Sequence, residues 1–160
     1  MTHRSFEELF SQMDGAAKKK VVLAAAQDPH ALEAVLKAAA EGFIEYILVG
    51  DPETTEKVAF DLGYEVSPQI VVQAEDPLQA AILSVDLVRN GEGDFLMKGK
   101  METATLLKQV VDKERGIGTG RLMSHLAIID SPNYHKLLAV SDGGMILYPD
   151  IHQKVGILEN

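Results

Sequence analysis

The densest cluster of polar groups able to bind a ligand runs from Lys98 to Asp142. Lys98, Gly99 and Lys100 follow directly on an apolar run, and Thr103 stands near the start of the next helical pattern. Thr119, Gly120 and Arg121 end a glycine-rich stretch ahead of a second apolar run. Each residue type has its chemical reason. Glycine lets the backbone approach a ligand closely. The free N–H groups of a helix start favour negative charge. A guanidinium presents a planar fork that matches phosphate or carboxylate. Together these residues predict recognition of a small anionic group, phosphate or carboxylate. The competing explanation is solvated loops with ordinary helix caps.

Other constellations are weaker. Gly116, Gly118 and Gly120 have dinucleotide-loop spacing, but no strand precedes them and no helix follows, so that reading is rejected. Ser124 and His125 are neighbours in an apolar stretch read as a strand, where alternation places them on opposite faces. They form no nucleophile–base pair on that reading. Asp130, His135, Asp142, Asp150 and His152 lack the spacing of a metal site and are expected as turn and cap residues, so no metal is predicted.

The elements that must position these groups are readable from period and punctuation. Phe6, Leu9, Phe10 and Met13 form a short amphipathic opener. Apolar runs at 21–26, 46–49, 69–72 and 94–97 have the length and continuity of strands buried on both faces. Asp28-Pro29, Asp51-Pro52 and Asp76-Pro77 follow the first three, each pairing an N-cap residue with proline at the first helical position. Gly42 and Gly63 are placed to close two of the helices. This βαβ grammar predicts a three-layer α/β/α fold with a mostly parallel sheet. Lys98 and Gly99 then fall at the carboxyl end of the fourth strand, where open α/β sheets bind their ligands. A helix is expected over 103–113 with Leu106, Leu107, Val110 and Val111 inward. Residues 122–129 and 136–140 are expected as adjacent, hairpin-like strands. A last helix begins after Pro149-Asp150. The expected division is an α/β domain over 1–121, with 122–160 leading into a second α/β domain.

Composition sets the outer limits. The 160 residues carry 15 Lys and Arg against 24 Asp and Glu, a net charge of −9, which argues against broad nucleic-acid binding. A small anionic ligand needs only one local basic pocket. No cysteine is present, which excludes a disulfide framework, thiolate metal ligands and a cysteine nucleophile. No apolar run approaches the ~20 residues of a membrane span, and the first residues lack the apolar core of a signal peptide. A cytoplasmic location is expected, with no membrane partner.

In combination, Asp94 to Gly99, Thr103, Thr119 to His125, Tyr134 to Leu138 and Ser141 to Met145 resemble the phosphate acetyl/butyryltransferase family, and its phosphate butyryltransferase branch most. Pro149-Asp150 and the stretch from Lys154 onward continue the pattern, so the resemblance covers essentially the whole chain. It implies transfer of a short acyl group between coenzyme A and inorganic phosphate on an isocitrate/isopropylmalate dehydrogenase-like fold. Coenzyme A and acyl-CoA are then substrates, no cofactor is tightly bound, and a homo-oligomer, a dimer first, is expected. The implied substrate contacts are Lys98, Gly99, Thr103, Lys108, Thr119, Gly120 and Arg121. Three positions depart from the family's usual pattern, of which Gly144, where a small apolar residue is common, should matter least. Glu102 stands where a small residue is common, and Lys108 where an arginine is common, and lysine is not a bidentate substitute for arginine. Family enzymes continue well beyond residue 160, and their Ser, Arg and Asp expected to act on the acyl phosphate and thiol lie in that later half. The chain is thus expected as the N-terminal half of such an enzyme, with its catalytic residues not identified and little turnover alone. The alternative is a non-catalytic coenzyme A- or phosphate-binding, or regulatory, domain on the same fold.

Overall fold

The computed structural model describes residues 4–12 and 17–160. The expected opener is a helix, α1, over Phe6–Ser11, capped by the Ser5 side chain; Met13, assigned to the same face, lies outside the described residues. The contacts divide the chain into two compact units, residues 17–118 and residues 4–12 with 119–160.

The larger unit contains four parallel strands, β1 (Lys19–Ala24), β2 (Ile44–Gly50), β3 (Val71–Gln73) and β4 (Phe95–Lys98), in the spatial order β3-β2-β1-β4. Helices α2 (Pro29–Ala40), α3 (Pro52–Asp61), α4 (Pro77–Arg89) and α5 (Thr103–Val110) cover both faces of this sheet. The strand period explains the layering. Val21 and Leu23 of β1 pack with Leu32, Val35 and Leu36 of α2 and Ala59 of α3. Val22 faces the other way, toward Ala80 of α4, and Ala24 packs with Ala81, Val85 and Leu106 of α4 and α5. Residues 21–26 are all buried, so β1 is the axis of the core. Full burial of one Val or Leu side chain contributes about 1.5–3 kcal/mol.

The three Asp-Pro pairs act as expected. Asp28, Asp51 and Asp76 accept hydrogen bonds from the backbone N–H of Ala31, Thr54 and Gln79, with proline in the first turn each time. Gly42, Gly63 and Gly91 end α2, α3 and α4 at φ of 84°, 84° and 78°, a conformation that disfavours a side chain.

Several boundaries differ from the expected ones. Pro68 starts a 3-10 turn over Pro68–Ile70, so β3 begins only at Val71 and Ile70 is exposed. Helix α5 stops at Val110 rather than continuing to 113, and Val111 is exposed. The stop is made by Asp112, whose Oδ1 accepts from the N–H of Glu114 and Arg115 and turns the chain.

In the smaller unit the expected long strands shrink to β5 (Ala127–Ile129) and β6 (Leu138–Val140). They pair antiparallel, Ala127 opposite Val140, as the adjacent pair that was expected. Ser124 and His125 lie before β5, not in a strand, so the alternation assigned to them does not apply. Two strands without a covering layer support only short pairing. Helix α6 (Ile151–Glu159) begins on a reciprocal capping box between Asp150 and Gln153. Within this unit the Phe6 N–H donates to Asp130 Oδ2 at 3.0 Å, which joins α1 to it.

Candidate functional site

In the larger unit the chain steps outward from β1 to β2 to β3, then returns to place β4 on the other side of β1. The carboxyl ends of β1 and β4 therefore diverge at a topological switch point, the usual place for a ligand crevice in such sheets. A cavity of about 740 Å³ opens there, lined by residues that include Asp28, Asp76, Lys98, Gly99, Lys100 and Thr105. That volume is within the usual range of small-molecule sites.

The walls of the cavity follow from the backbone. Asp28 and Asp76 reach it because they cap α2 and α4, which start on this side of the sheet. Gly99 lies against β1: a Cβ there would sit 2.1 Å from the Ala25 carbonyl oxygen and 2.9 Å from that of Ala24. Its N–H donates to Ala24 O at 2.8 Å. Glycine is the residue this approach permits. Ala25 itself has φ 58°, a left-handed conformation uncommon for a residue with a side chain. The Met101 side chain packs into the apolar clusters beneath α4 and α5, which anchors the far end of the turn.

Two features make the rim suited to an anion. Helix α5 lacks a side-chain cap, since Glu102 at its N-cap makes no capping hydrogen bond. The N–H groups of Lys100, Glu102, Thr103 and Ala104 have no hydrogen-bond partner among the described residues. Lys100 is exposed and pairs with no carboxylate among the described residues. Opposing this, Asp28, Asp76 and Glu102 bring three carboxylates to the same lining.

Of the residues expected to contact substrate, Lys98 and Gly99 line this cavity. Thr103 is the exposed first residue of α5, and Lys108 is exposed in its last turn; neither is among the lining residues, whereas Thr105 is. Asp28, Asp76, Met101 and Thr105 were not singled out as site residues from the sequence. The two aspartates carry one sequence signal, their place directly after buried strands, and it is equally the signal of a helix cap.

Thr119, Gly120 and Arg121 belong to the smaller unit. All three are exposed, Gly120 has φ 79°, and an Arg121 terminal N–H donates to the Glu159 carbonyl at 3.3 Å. In the same unit Asp142 Oδ1 accepts from the N–H groups of Gly144 and Met145 at 2.9 and 2.8 Å. These backbone donors hold the Asp142 carboxyl below its usual range. The Ser141 hydroxyl donates to the His125 carbonyl at 2.7 Å. No group of three or more His, Cys, Asp or Glu is placed to hold a metal ion among the described residues. No helix among them is long and apolar enough to cross a membrane.

Comparison with known proteins agrees with this architecture. The chain is 38% identical to a phosphate butyryltransferase of Clostridium beijerinckii over 157 residues, covering 98% of this chain and 52% of that protein. It is 36% identical to a phosphate acetyltransferase of Thermotoga maritima, covering 97% of this chain and 52% of that one. The chain thus spans about half the length of these relatives. Among solved structures, a branched-chain phosphotransacylase from Enterococcus faecalis superposes with a TM-score of 0.71 at 26% identity, covering 89% of this chain and 49% of that one. A phosphotransacetylase from Streptococcus pyogenes, at 16% identity and a TM-score of 0.56, shares the fold. The family model for phosphate acetyl/butaryl transferase matches residues 5–82 and 71–160, and the chain belongs to that family.

Proposed function

We propose that the chain takes part in exchange of a short acyl group between coenzyme A and inorganic phosphate, and that the switch-point cavity binds a phosphate-bearing portion of the substrate. The observation that carries this reading is the coincidence, in one cavity at the carboxyl edge of a parallel sheet, of Lys98, Gly99, Lys100 and the uncapped start of α5. Family membership supplies the reaction class. In that reaction the coenzyme A thiolate attacks the carbonyl carbon of an acyl phosphate, the new carbon–sulfur bond forms, and the carbon–oxygen bond to phosphate breaks. Phosphate leaves; the reverse direction makes acyl phosphate.

Such a site must bind phosphate, stabilise the tetrahedral oxyanion and assist thiol deprotonation. Lys98, Gly99 and Thr103 in the larger unit, with Lys100 beside them, serve the first need. Thr119, Gly120 and Arg121 in the smaller unit, and Lys108 at the end of α5, are the further substrate contacts in this reading. We place no catalytic base among the described residues, and the reading needs no tightly bound cofactor. Its setting is the cytoplasm, where acyl-CoA is available. Its protein partner is a second copy of the chain or a polypeptide equivalent to the remaining half of the relatives.

The test pairs a coenzyme A titration of the purified 160-residue chain with turnover of butyryl-CoA and phosphate. Saturable binding at one site is expected, with turnover far below that of a full-length relative assayed alongside. Absence of saturable binding would overturn the phosphate-binding reading. Binding without any turnover, even in the presence of a polypeptide equivalent to the other half of a relative, would favour the non-catalytic binding domain.

A further inference from the structure

Lys98 is the basic residue that sequence position alone marks most strongly for the ligand, yet its ammonium is engaged elsewhere. Its Nζ donates to the carbonyl oxygens of Gly99 at 3.1 Å and of Met101 at 3.0 Å. An ammonium has three N–H donors, so two of the three are used within the turn that follows β4. The same turn is pinned at one end by the Gly99 N–H on Ala24 O and closed on itself by the Met101 N–H on Gly99 O at 2.9 Å.

The consequence for the cavity follows from peptide geometry. A planar trans peptide points its C=O and the next residue's N–H in opposite directions. With the Gly99 and Met101 carbonyls drawn to Nζ, the N–H groups of Lys100 and Glu102 face away from it. Those are two of the amides without a hydrogen-bond partner among the described residues. Carbonyl oxygens turned toward an anion would repel it, whereas N–H groups attract it. The Lys98 ammonium, together with the Met101 N–H on Gly99 O, thus holds the polarity of the turn. Lys100 has no such tie, and its ammonium is bonded to no atom among the described residues.

We propose that Lys98 is a positioning residue: it clamps the carbonyls of the 99–101 turn, and acts on the ligand through the turn's amides rather than as its counter-charge. This rests on the phosphate-binding reading of the cavity for its purpose, but the clamp is testable without it. The experiment is amide hydrogen exchange by NMR on the full 160-residue chain and its K98M, K98R and K100M variants, each followed by coenzyme A titration. In K98M the protection of the Gly99 and Met101 amides is expected to fall at least tenfold, while Val22 and Leu23 in β1 keep theirs, which shows that the fold is intact. K98R, which retains several N–H donors, is expected to restore that protection and the coenzyme A affinity that K98M loses about fivefold or more. K100M is expected to weaken coenzyme A without loosening the turn. Unchanged Gly99 and Met101 protection in K98M would overturn the clamp, as would equal loosening in K100M. Loosening in K98M with coenzyme A affinity untouched would overturn the claim that the clamp serves the ligand. If the unmodified chain binds no coenzyme A, the phosphate-binding reading falls, and the exchange data decide the clamp on their own.

Discussion

At the scale of single residues, Gly99 carries the tightest constraint in the cavity. A methyl group at its Cα would meet the Ala25 carbonyl oxygen at 2.1 Å, and that oxygen belongs to a backbone already held at φ 58°. A flexible side chain could swing away; a buried strand end cannot. Replacing Gly99 by Ala should therefore cost about 1–3 kcal/mol, the usual range for overpacking a tight site. It should also move Lys98 and Lys100 relative to the start of α5. Thermal or urea unfolding of G99A measures the first effect, and a wild-type midpoint would contradict the close approach. Lys98 and Gly99 were legible from the sequence because a basic residue and a glycine directly after a buried strand have few other uses. The clamp was not legible, because nothing in residue order says that an ammonium will turn back onto its own loop. The neighbours Asp28 and Asp76 are hidden for a different reason: they follow β1 and β3, and only the folded sheet brings both helix caps to one cavity.

At the scale of elements, the helices of the larger unit were readable because each is bracketed by local chemistry. An Asp-Pro start and a left-handed glycine stop act on the backbone whatever the tertiary context. Of the strand expected over 122–129 only Ala127–Ile129 pair, because apolar residues mark strands only where a facing layer buries them. The β1–β4 pairing that builds the cavity has its own electrostatic fastening. Asp94, just before β4, accepts from the Lys20 N–H at 2.7 Å and from Lys19 Nζ at 3.0 Å. The backbone hydrogen bond first, and the Lys19 side chain second, lower its carboxyl below the ordinary value. A group whose folded pKa is depressed contributes stability that is complete above the unfolded value, near 3.9 for Asp. That contribution is lost as pH falls through the lower folded value. The acid limb of a stability–pH profile should accordingly be shallower in D94N than in the wild type, with the difference confined to pH below about 4. Superimposable acid limbs would show that the fastening contributes nothing.

For the whole molecule, the net charge of −9 means that the proposed coenzyme A binding has to be a local property. A polyanionic ligand approaching an acidic protein is repelled over most of its surface, so binding has to come from a site where donors are concentrated. The rim around Lys100 and the uncapped start of α5 is such a place in the larger unit. The chain belongs to the family across residues 5–160 and spans about half the length of the relatives it matches; on the proposed function it contributes one substrate-binding wall. Reactions of this type depend on positioning, because holding both reactants in place supplies much of the rate. The central claim is that the cavity between the ends of β1 and β4 is where coenzyme A binds in the larger unit. Amide chemical-shift mapping of the 160-residue chain during titration with coenzyme A tests it most directly. The account predicts saturable shifts at Lys100, Glu102, Thr103 and Ala104, with smaller ones at Asp28 and Asp76. Saturable binding that leaves those amides unmoved would contradict it.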